Sequence, residues 1–470
     1  MLISDAKTRF AVLAVLAALV LTLDASAASA TTAPAGPQWS TYLYDNARTG
    51  YDAGERAINA SNAATLTPQW SLSGLTPIST QVIGVDGVLY FGTWNGLERA
   101  VSASTGKQLW ATQLGSETDT QCQPTHIGVA STATVTTVDI QGKPTLVDFV
   151  GGGGGSYYAL NAKTGDIIWS RFFGSPKQGY FMWSSPAIDG SSMYVGVASI
   201  GSCPDVPGSE VELNVATGAV EATFDAVPAG CTGAGIWSSP AVDDATGDVY
   251  EGTGNDSGYC DTTPEPYAEA MVQLSPAMTL LGYWRIPNDQ QLPQDSDFGA
   301  TPTLFTARIH GKEQQVVGDA NKNGIYYAFI RGEISNGPVW ESKKITPNTE
   351  MVASTAFTGR ALYVAGSTTV IHGRHCLGSI REMNPSTGAF GWQDCLGGGQ
   401  NFAPVIATPG MVWDSIGSIL YGVKSSNGKV LFHYQERSGA YYYAPVTFYD
   451  RAMFIGSPNG HLRKFVPKGR

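Results

Sequence analysis

SASTGKQLW, Ser102 to Trp110, and NAKTGDIIW, Asn161 to Trp169, share one punctuation: Thr-Gly, three further residues, then Trp. Variants return at NVATGAVEATF (Asn214 to Phe224), SPAMTLLGYW (Ser275 to Trp284), EISNGPVW (Glu333 to Trp340), NPSTGAFGW (Asn384 to Trp392) and SSNGKVLF (Ser425 to Phe432). Most of these turns place a glycine where a hairpin needs positive φ, and the aromatic after the turn marks an outer strand. Before each copy lie two runs of alternating β-branched, aromatic and small residues, such as GVLYFGTWNGLERAVSA from Gly87 and GDVYEGTGN from Gly247. The repeating unit is a four-stranded antiparallel sheet of about 40 to 60 residues, the size of a propeller blade, which cannot bury both faces alone.

The two ends complete the count. LTPQW, Leu66 to Trp70, reads as an outer strand with no inner strands before it, whereas APVTFYDRAMFIGSPNGHLRKF, Ala444 to Phe465, reads as inner strands with no outer strand after them. Joined, they form an eighth blade that closes the ring and removes free sheet edges. The expected fold is all-β: a single eight-bladed β-propeller over residues 31–470.

Residues 1–30 stand outside that fold. Lys7 and Arg9 precede an apolar run from Phe10 to Leu23 and the small-residue sequence Ala28-Ser29-Ala30, the pattern of a secretory signal peptide cleaved before Thr31. The run is too short for a transmembrane helix, and no later stretch is long enough, so a secreted or periplasmic protein is expected. Removing the leader takes two acids and two bases, and the net charge of -11 persists without long blocks of like charge. Such a surface is a poor match for nucleic acid. The 6 cysteines suit an oxidising compartment and up to three disulfides. Their connectivity is open from sequence; Cys376 with Cys395 and Cys203 with Cys231 would close the shortest loops. No C-x-x-C occurs, which excludes c-type haem attachment.

A second repetition sits inside the first. WSSPAID, Trp183 to Asp189, returns as WSSPAVD, Trp237 to Asp243, but the strand after the first ends in VAS at Ser199 and the strand after the second runs on to TGN at Asn255. Together with YFGTWNG (Tyr90 to Gly96), IWSSPAVD (Ile236 to Asp243), GTGN (Gly252 to Asn255) and DSDFGATP (Asp295 to Pro302), the Thr-Gly-Trp punctuation resembles the pyrroloquinoline quinone (PQQ) propellers of the quinoprotein alcohol dehydrogenases. Within that group it looks most like the polyvinyl-alcohol-dehydrogenase-like branch. The similarity runs from about Trp39 to the C-terminus.

The resemblance implies a cofactor, a metal and a reaction. In that family PQQ lies flat on a Trp near the axis, Ca²⁺ is held by a Glu, an Asn and the quinone, and an Asp takes the alcohol proton. Carried over by position, Trp237 matches the stacking Trp, Asn255 the metal-binding Asn, Asp297 the catalytic Asp beside the metal, and Lys322 the base at the quinone oxygens. These residue types suit the task. Calcium wants hard oxygen ligands, a carboxylate can serve as general base, an indole offers a broad plate for a planar ring system, and a fixed cation stabilises charge on reduced oxygens. The implied activity is oxidation of a secondary or polymeric alcohol, with electrons passed to an external acceptor.

Three positions depart from the family. The segment expected to carry the metal-binding Glu reads VGVASIGSCPDVPG, Val195 to Gly208, where Asp205 is the nearest carboxylate. No adjacent Cys-Cys pair is present to roof the cofactor. Position 299 is Gly, so the extra acid of lanthanide-using relatives is missing, and calcium is the expected metal. Each candidate also has a plainer reading: Trp237 as inter-blade packing like Trp183, Asn255 as a turn residue or sequon, Asp297 as a solvated loop acid, and Lys322 as a hairpin lysine. The alternative for the whole chain is a non-catalytic propeller that binds protein or saccharide. His372-x-x-His375-Cys376 lacks a second cluster to complete a zinc site, and the glycines at 151–155 lead into a strand rather than the helix a phosphate loop requires.

Overall fold

The computed structural model describes residues 38–469, apart from 119–121, 258–264, 294, 348–350 and 438. The expected leader lies outside the described residues. Eight four-stranded antiparallel sheets follow one another along the chain, forming an eight-bladed β-propeller. Blade 1 consists of Ile83–Val85, Val88–Gly92, Leu97–Ser102 and Gln108–Gln113, and the same order from inner to outer strand repeats around the ring. Blade 8 is the composite one: Thr447–Tyr449, Ala452–Gly456 and Leu462–Pro467 are completed by Leu66–Leu72, with Leu66 opposite Pro467 and Leu72 opposite Leu462. Blade 3 carries an extra short strand, Tyr180–Phe181, beside Ser192–Ser199.

The recurring Gly and Trp turn out to be partners across blade boundaries. The Trp110 indole of blade 1 donates to the carbonyl of Ala162 in blade 2 at 2.9 Å, and Trp169 of blade 2 donates to Val215 in blade 3 at 2.8 Å. Trp340 and Trp392 repeat the contact with Pro385 and Ser425. The glycine of the next turn lies against the ring: a Cβ on Gly165 would stand 2.8 Å from Trp110, and one on Gly218 would stand 2.5 Å from Trp169. Both glycines also have positive φ, so turn shape and close approach ask for the same residue.

A second ring of contacts explains the WSSP phrase. The Thr132 amide donates to Ser185 Oγ at 3.0 Å, the Ser185 amide to Ser239 Oγ at 2.9 Å, and the Thr301 amide to Ser354 Oγ at 2.9 Å. Each of these blades thus satisfies a buried N–H with a hydroxyl from the next blade, which fixes their spacing where no strand ladder joins them.

The segment from Trp39 to Asp52 winds around the inner strands as a plug. Trp39 pairs with Gly84 in blade 1, and its neighbours accept amides from Val135, Val242, Leu304, Phe357 and Ala407 in blades 2, 4, 5, 6 and 7. Arg48, fully buried in this segment, donates to the carbonyls of Tyr42 at 2.7 Å and Pro240 at 2.8 Å. Burial lowers its pKa to about 10, and backbone dipoles replace the lost water.

Disulfides join Cys376 to Cys395 and Cys122 to Cys203. The second pairing corrects the short-loop expectation of Cys203 with Cys231: adjacent blades bring their loops together irrespective of sequence distance. Cys231 is also disulfide-bonded, and Cys260 lies outside the described residues. His372 and His375 belong to a small hairpin whose Cys376 is committed to its disulfide. The glycines at 151–155 connect Lys143–Gly151 to Ser156–Asn161 and pack closely on Leu114 and Gly128. No helix among the described residues is long and apolar enough to cross a membrane.

Candidate active site

In this fold the residues just before a first strand and just after a second strand approach the axis. Trp237 precedes Ala241–Val242, Asn255 follows Val249–Gly252, Asp297 precedes Thr303–Ile309, and Lys322 follows Lys312–Ala320. All four line one cavity of about 550 Å³, together with Asp295, Asp205 and Trp183. The four sequence candidates therefore converge.

Asp297 is the centre of the arrangement, only 4% exposed. Its Oδ2 accepts from the Trp237 Nε1–H at 2.9 Å, and its Oδ1 lies 2.8 Å from the Lys322 ammonium. Burial pushes its carboxyl above the ordinary carboxylate value; Lys322 pulls in the opposite direction and Asp295 adds to the rise. Lys322 Nζ also donates to both oxygens of Asp295, at 2.9 and 3.0 Å, and sits 5.0 Å from the centre of a Trp237 ring. Burial depresses the ammonium, but Asp297 and Asp295 outweigh it and raise it above the usual lysine value.

Asn255 is fixed at both ends. Its Nδ2 donates to Asp295 Oδ1 at 3.0 Å, while its Oδ1 accepts the Ser296 amide at 2.9 Å. The hydroxyl of the corresponding Ser199 accepts the Val206 amide, a local loop contact. Copy and variant thus differ in what they hold: Asn255 holds the Asp295–Asp297 loop. Two participants were missed in the sequence. Asp295 is a hub for both Asn255 and Lys322, and the Asn321 amide donates to the carbonyls of Ser296 at 2.6 Å and Asp297 at 2.9 Å. The available signal was the pair of polar turns, DSD and NKN, but acids and amides in such turns are usually solvated.

A second cavity of about 520 Å³ adjoins the first and shares Trp183 and Trp237 with it. Tyr42 of the plug contributes to its wall, and aromatic rings of Trp94, Phe402 and Tyr443 line it with serine and threonine hydroxyls. Among the described residues no charged side chain lines it. Gly299 lies against the Trp237 ring: a Cβ there would stand 2.4 Å from Cζ2. Near Gly201 the Cys122–Cys203 disulfide borders the same region, since Gly201 lines the first cavity and lies close to Cys122.

Comparison with known proteins agrees with this architecture. A family profile described as Outer membrane protein assembly factor BamB matches residues 52–257. The quinohemoprotein alcohol dehydrogenase ADH IIB of Pseudomonas putida is 26% identical over 393 residues, covering 75% of this chain and 53% of the relative. The chain spans about half the length of the curated relatives it matches. Among solved structures, the quinohemoprotein alcohol dehydrogenase from Comamonas testosteroni superposes with a TM-score of 0.71 at 16% identity, over 92% of this chain and 81% of that one. BamB from Moraxella catarrhalis gives 0.55 at 14% identity, over 86% and 98%. The blade repeat, the composite closing blade and these matches make the chain a β-propeller of the PQQ type.

Proposed function

We propose that the chain is an exported quinoprotein dehydrogenase that oxidises a neutral secondary or polymeric alcohol with PQQ and passes electrons to an external acceptor. The observation that carries this reading is the convergence of Trp237, Asp297 and Lys322 on one cavity, with Trp237 shared by the adjoining uncharged one. The residues fit PQQ: Trp237 offers an indole plate, Gly299 leaves its edge free of a side chain, and Lys322 supplies a fixed positive charge. PQQ, when bound, supplies the hydride acceptor.

Asp297 takes the proton from the alcohol hydroxyl. Its elevated pKa brings it closer to the operating pH, which strengthens it as a base once ionised. The Trp237 N–H fixes one carboxylate oxygen, and Lys322 keeps the group ionisable despite burial. The uncharged, hydroxyl-studded cavity admits a neutral alcohol without charging a desolvation cost for fixed ions. A further cavity of about 370 Å³ shares Trp94 and Tyr443 and extends to Tyr441 and Pro458, giving a long substrate an aromatic path outward.

Calcium fits less well. A hard dication takes six to eight oxygen ligands. Here Asn255 Oδ1 already accepts the Ser296 amide, and the Asp297 oxygens face Trp237 and Lys322. Among the described residues no group of three or more His, Cys, Asp or Glu side chains is placed to hold a metal ion. The donor set does not fit a hard dication.

The match to BamB favours a second reading, a propeller that binds a partner and has no catalytic role. Calorimetric titration of the full chain with PQQ decides between them. One-to-one binding, followed by dye-linked alcohol oxidation, supports the dehydrogenase. Failure of PQQ to bind leaves the scaffold.

A further inference from the structure

We propose that the Lys322 ammonium is the resident cation of this site, held by Asp295 and Asp297 in place of the calcium that the resemblance implies. Its catalytic meaning rests on the proposed dehydrogenase function, but the charge arrangement stands on its own geometry. Three carboxylate oxygens surround Nζ: Asp297 Oδ1 at 2.8 Å, Asp295 Oδ1 at 2.9 Å and Asp295 Oδ2 at 3.0 Å. The side chain of Lys322 is 14% exposed, that of Asp297 6% and that of Asp295 32%.

Position is built into the backbone as well. The Lys322 amide donates to the Asp297 carbonyl at 3.2 Å, and Asn321 ties the carbonyls of Ser296 and Asp297 to the same turn. The two loops therefore bring their charges together before any ligand enters. Asn255 completes the arrangement by orienting Asp295 through its Nδ2. A calcium ion at the same carboxylates would stand within a few ångströms of an ammonium, two positive charges in a poorly solvated pocket. The segment Val195 to Gly208 supplies only Asp205 as a further carboxylate, and Asp205 does not complete a three-acid set with Asp295 and Asp297.

The arrangement assigns two roles. Lys322 supplies the electrostatic part of what a metal would give, a positive charge beside the reacting oxygens. Asp295 is a positioning residue, acting through Lys322. Calcium should be dispensable for cofactor binding, and the vacancy left by removing the ammonium should attract a dication.

The test uses the full chain without cofactor. Calcium titration followed by calorimetry and thermal melting is expected to show no Asp297-dependent binding in the wild type, whereas Lys322→Gln gains calcium affinity by about tenfold or more once two carboxylates lose their internal cation. Lys322→Arg keeps the charge and should stay indifferent to calcium, a control for any loss of fold in Lys322→Gln. In parallel, chelator should change PQQ affinity by less than about threefold, and Asp295→Asn should lower kcat and shift its pH profile, with recovery in Asp295→Glu. Wild-type calcium binding that disappears in Asp297→Asn overturns the proposal, as does loss of PQQ binding on chelation. If PQQ binds under neither condition, the dehydrogenase reading fails, while the calcium titration still decides whether Lys322 is the resident cation.

Discussion

Asp297 and Trp237, sixty residues apart in sequence, meet through an indole N–H donated to Oδ2 at 2.9 Å. The same indole lines both cavities, so in the proposed dehydrogenase one side chain would serve as plate and as clamp. Trp237→Phe keeps the plate and removes the donor. Loss of a hydrogen bond to a buried carboxylate costs about 1.5 to 3 kcal/mol, so kcat should fall about ten- to hundredfold with little change in PQQ affinity. Asp297→Asn should lower kcat by about 10² to 10⁴. Steady-state kinetics beside PQQ titration separates the two effects; equal loss of affinity in Trp237→Phe would show that the donor is not its own contribution.

The acid limb of the rate profile follows from the pKa causes. Asp297 must be ionised to act as base, and its pKa lies above the ordinary carboxylate value because it is buried. Activity should therefore rise with pH through that elevated value. Lys322 is the largest influence pulling it down, so Lys322→Gln should move the limb to higher pH, by about one unit or more. An unmoved limb would mean that Asp297 is not the titrating base.

Gly299→Ala tests the wall beneath the indole. A Cβ would stand 2.4 Å from Cζ2 and 2.5 Å from Cη2 of Trp237, closer than packed atoms tolerate, and overpacking of this kind costs about 1 to 3 kcal/mol. The ring must turn or shift. Near-ultraviolet circular dichroism should change in the tryptophan band, and PQQ affinity should fall about tenfold or more; unchanged spectra and affinity would show that the wall yields instead.

Elsewhere, blades meet across buried acids. Glu98 of blade 1 and Asp148 of blade 2 are fully buried, and among the described residues their carboxylate oxygens meet no side-chain hydrogen-bond partner. Burial raises Asp148 to about 8 and Glu98 well above its usual value, with Asp148 adding to the rise in Glu98. Because the folded pKa exceeds the unfolded one, this pair favours the fold below the ordinary carboxylate range and loses that contribution as pH rises towards about 8. The thermal midpoint should fall from about pH 5 to about pH 8.5, and the double variant Glu98→Gln with Asp148→Asn should flatten that slope. Calorimetric scans across the range check both.

The ring was legible because its repeats are local. Gly165 needs a positive φ and a ring to rest on, and both demands appear in sequence as Thr-Gly beside a Trp one blade earlier. Leu66–Leu72 could be assigned to the last blade because it lacked inner strands of its own. Trp237, Asn255, Asp297 and Lys322 were singled out by the family resemblance, and they converge because each sits just before a first strand or just after a second one. Their roles were less visible. Without the resemblance, Asp295 and Asp297 look alike as two acids around a serine, and it is three-dimensional burial that separates the 4% exposed Asp297 from its neighbour. The Cys122–Cys203 pair and the buried Glu98 and Asp148 depend on contacts between blades, which periodicity within a blade does not encode. Arg48 likewise gained its meaning from the carbonyls it meets across the axis.

The plug from Trp39 to Asp52 also gives the chamber a direction. Its backbone occupies the inner side of the ring, and Tyr42 closes one wall of the uncharged cavity, so traffic is expected on the side of Trp94 and Tyr443. In the proposed dehydrogenase, alcohol, product and electron acceptor would then queue at a shared doorway. A large acceptor could approach only after product had cleared it, and the kinetic signature of that order is a set of parallel double-reciprocal lines when both reactants are varied.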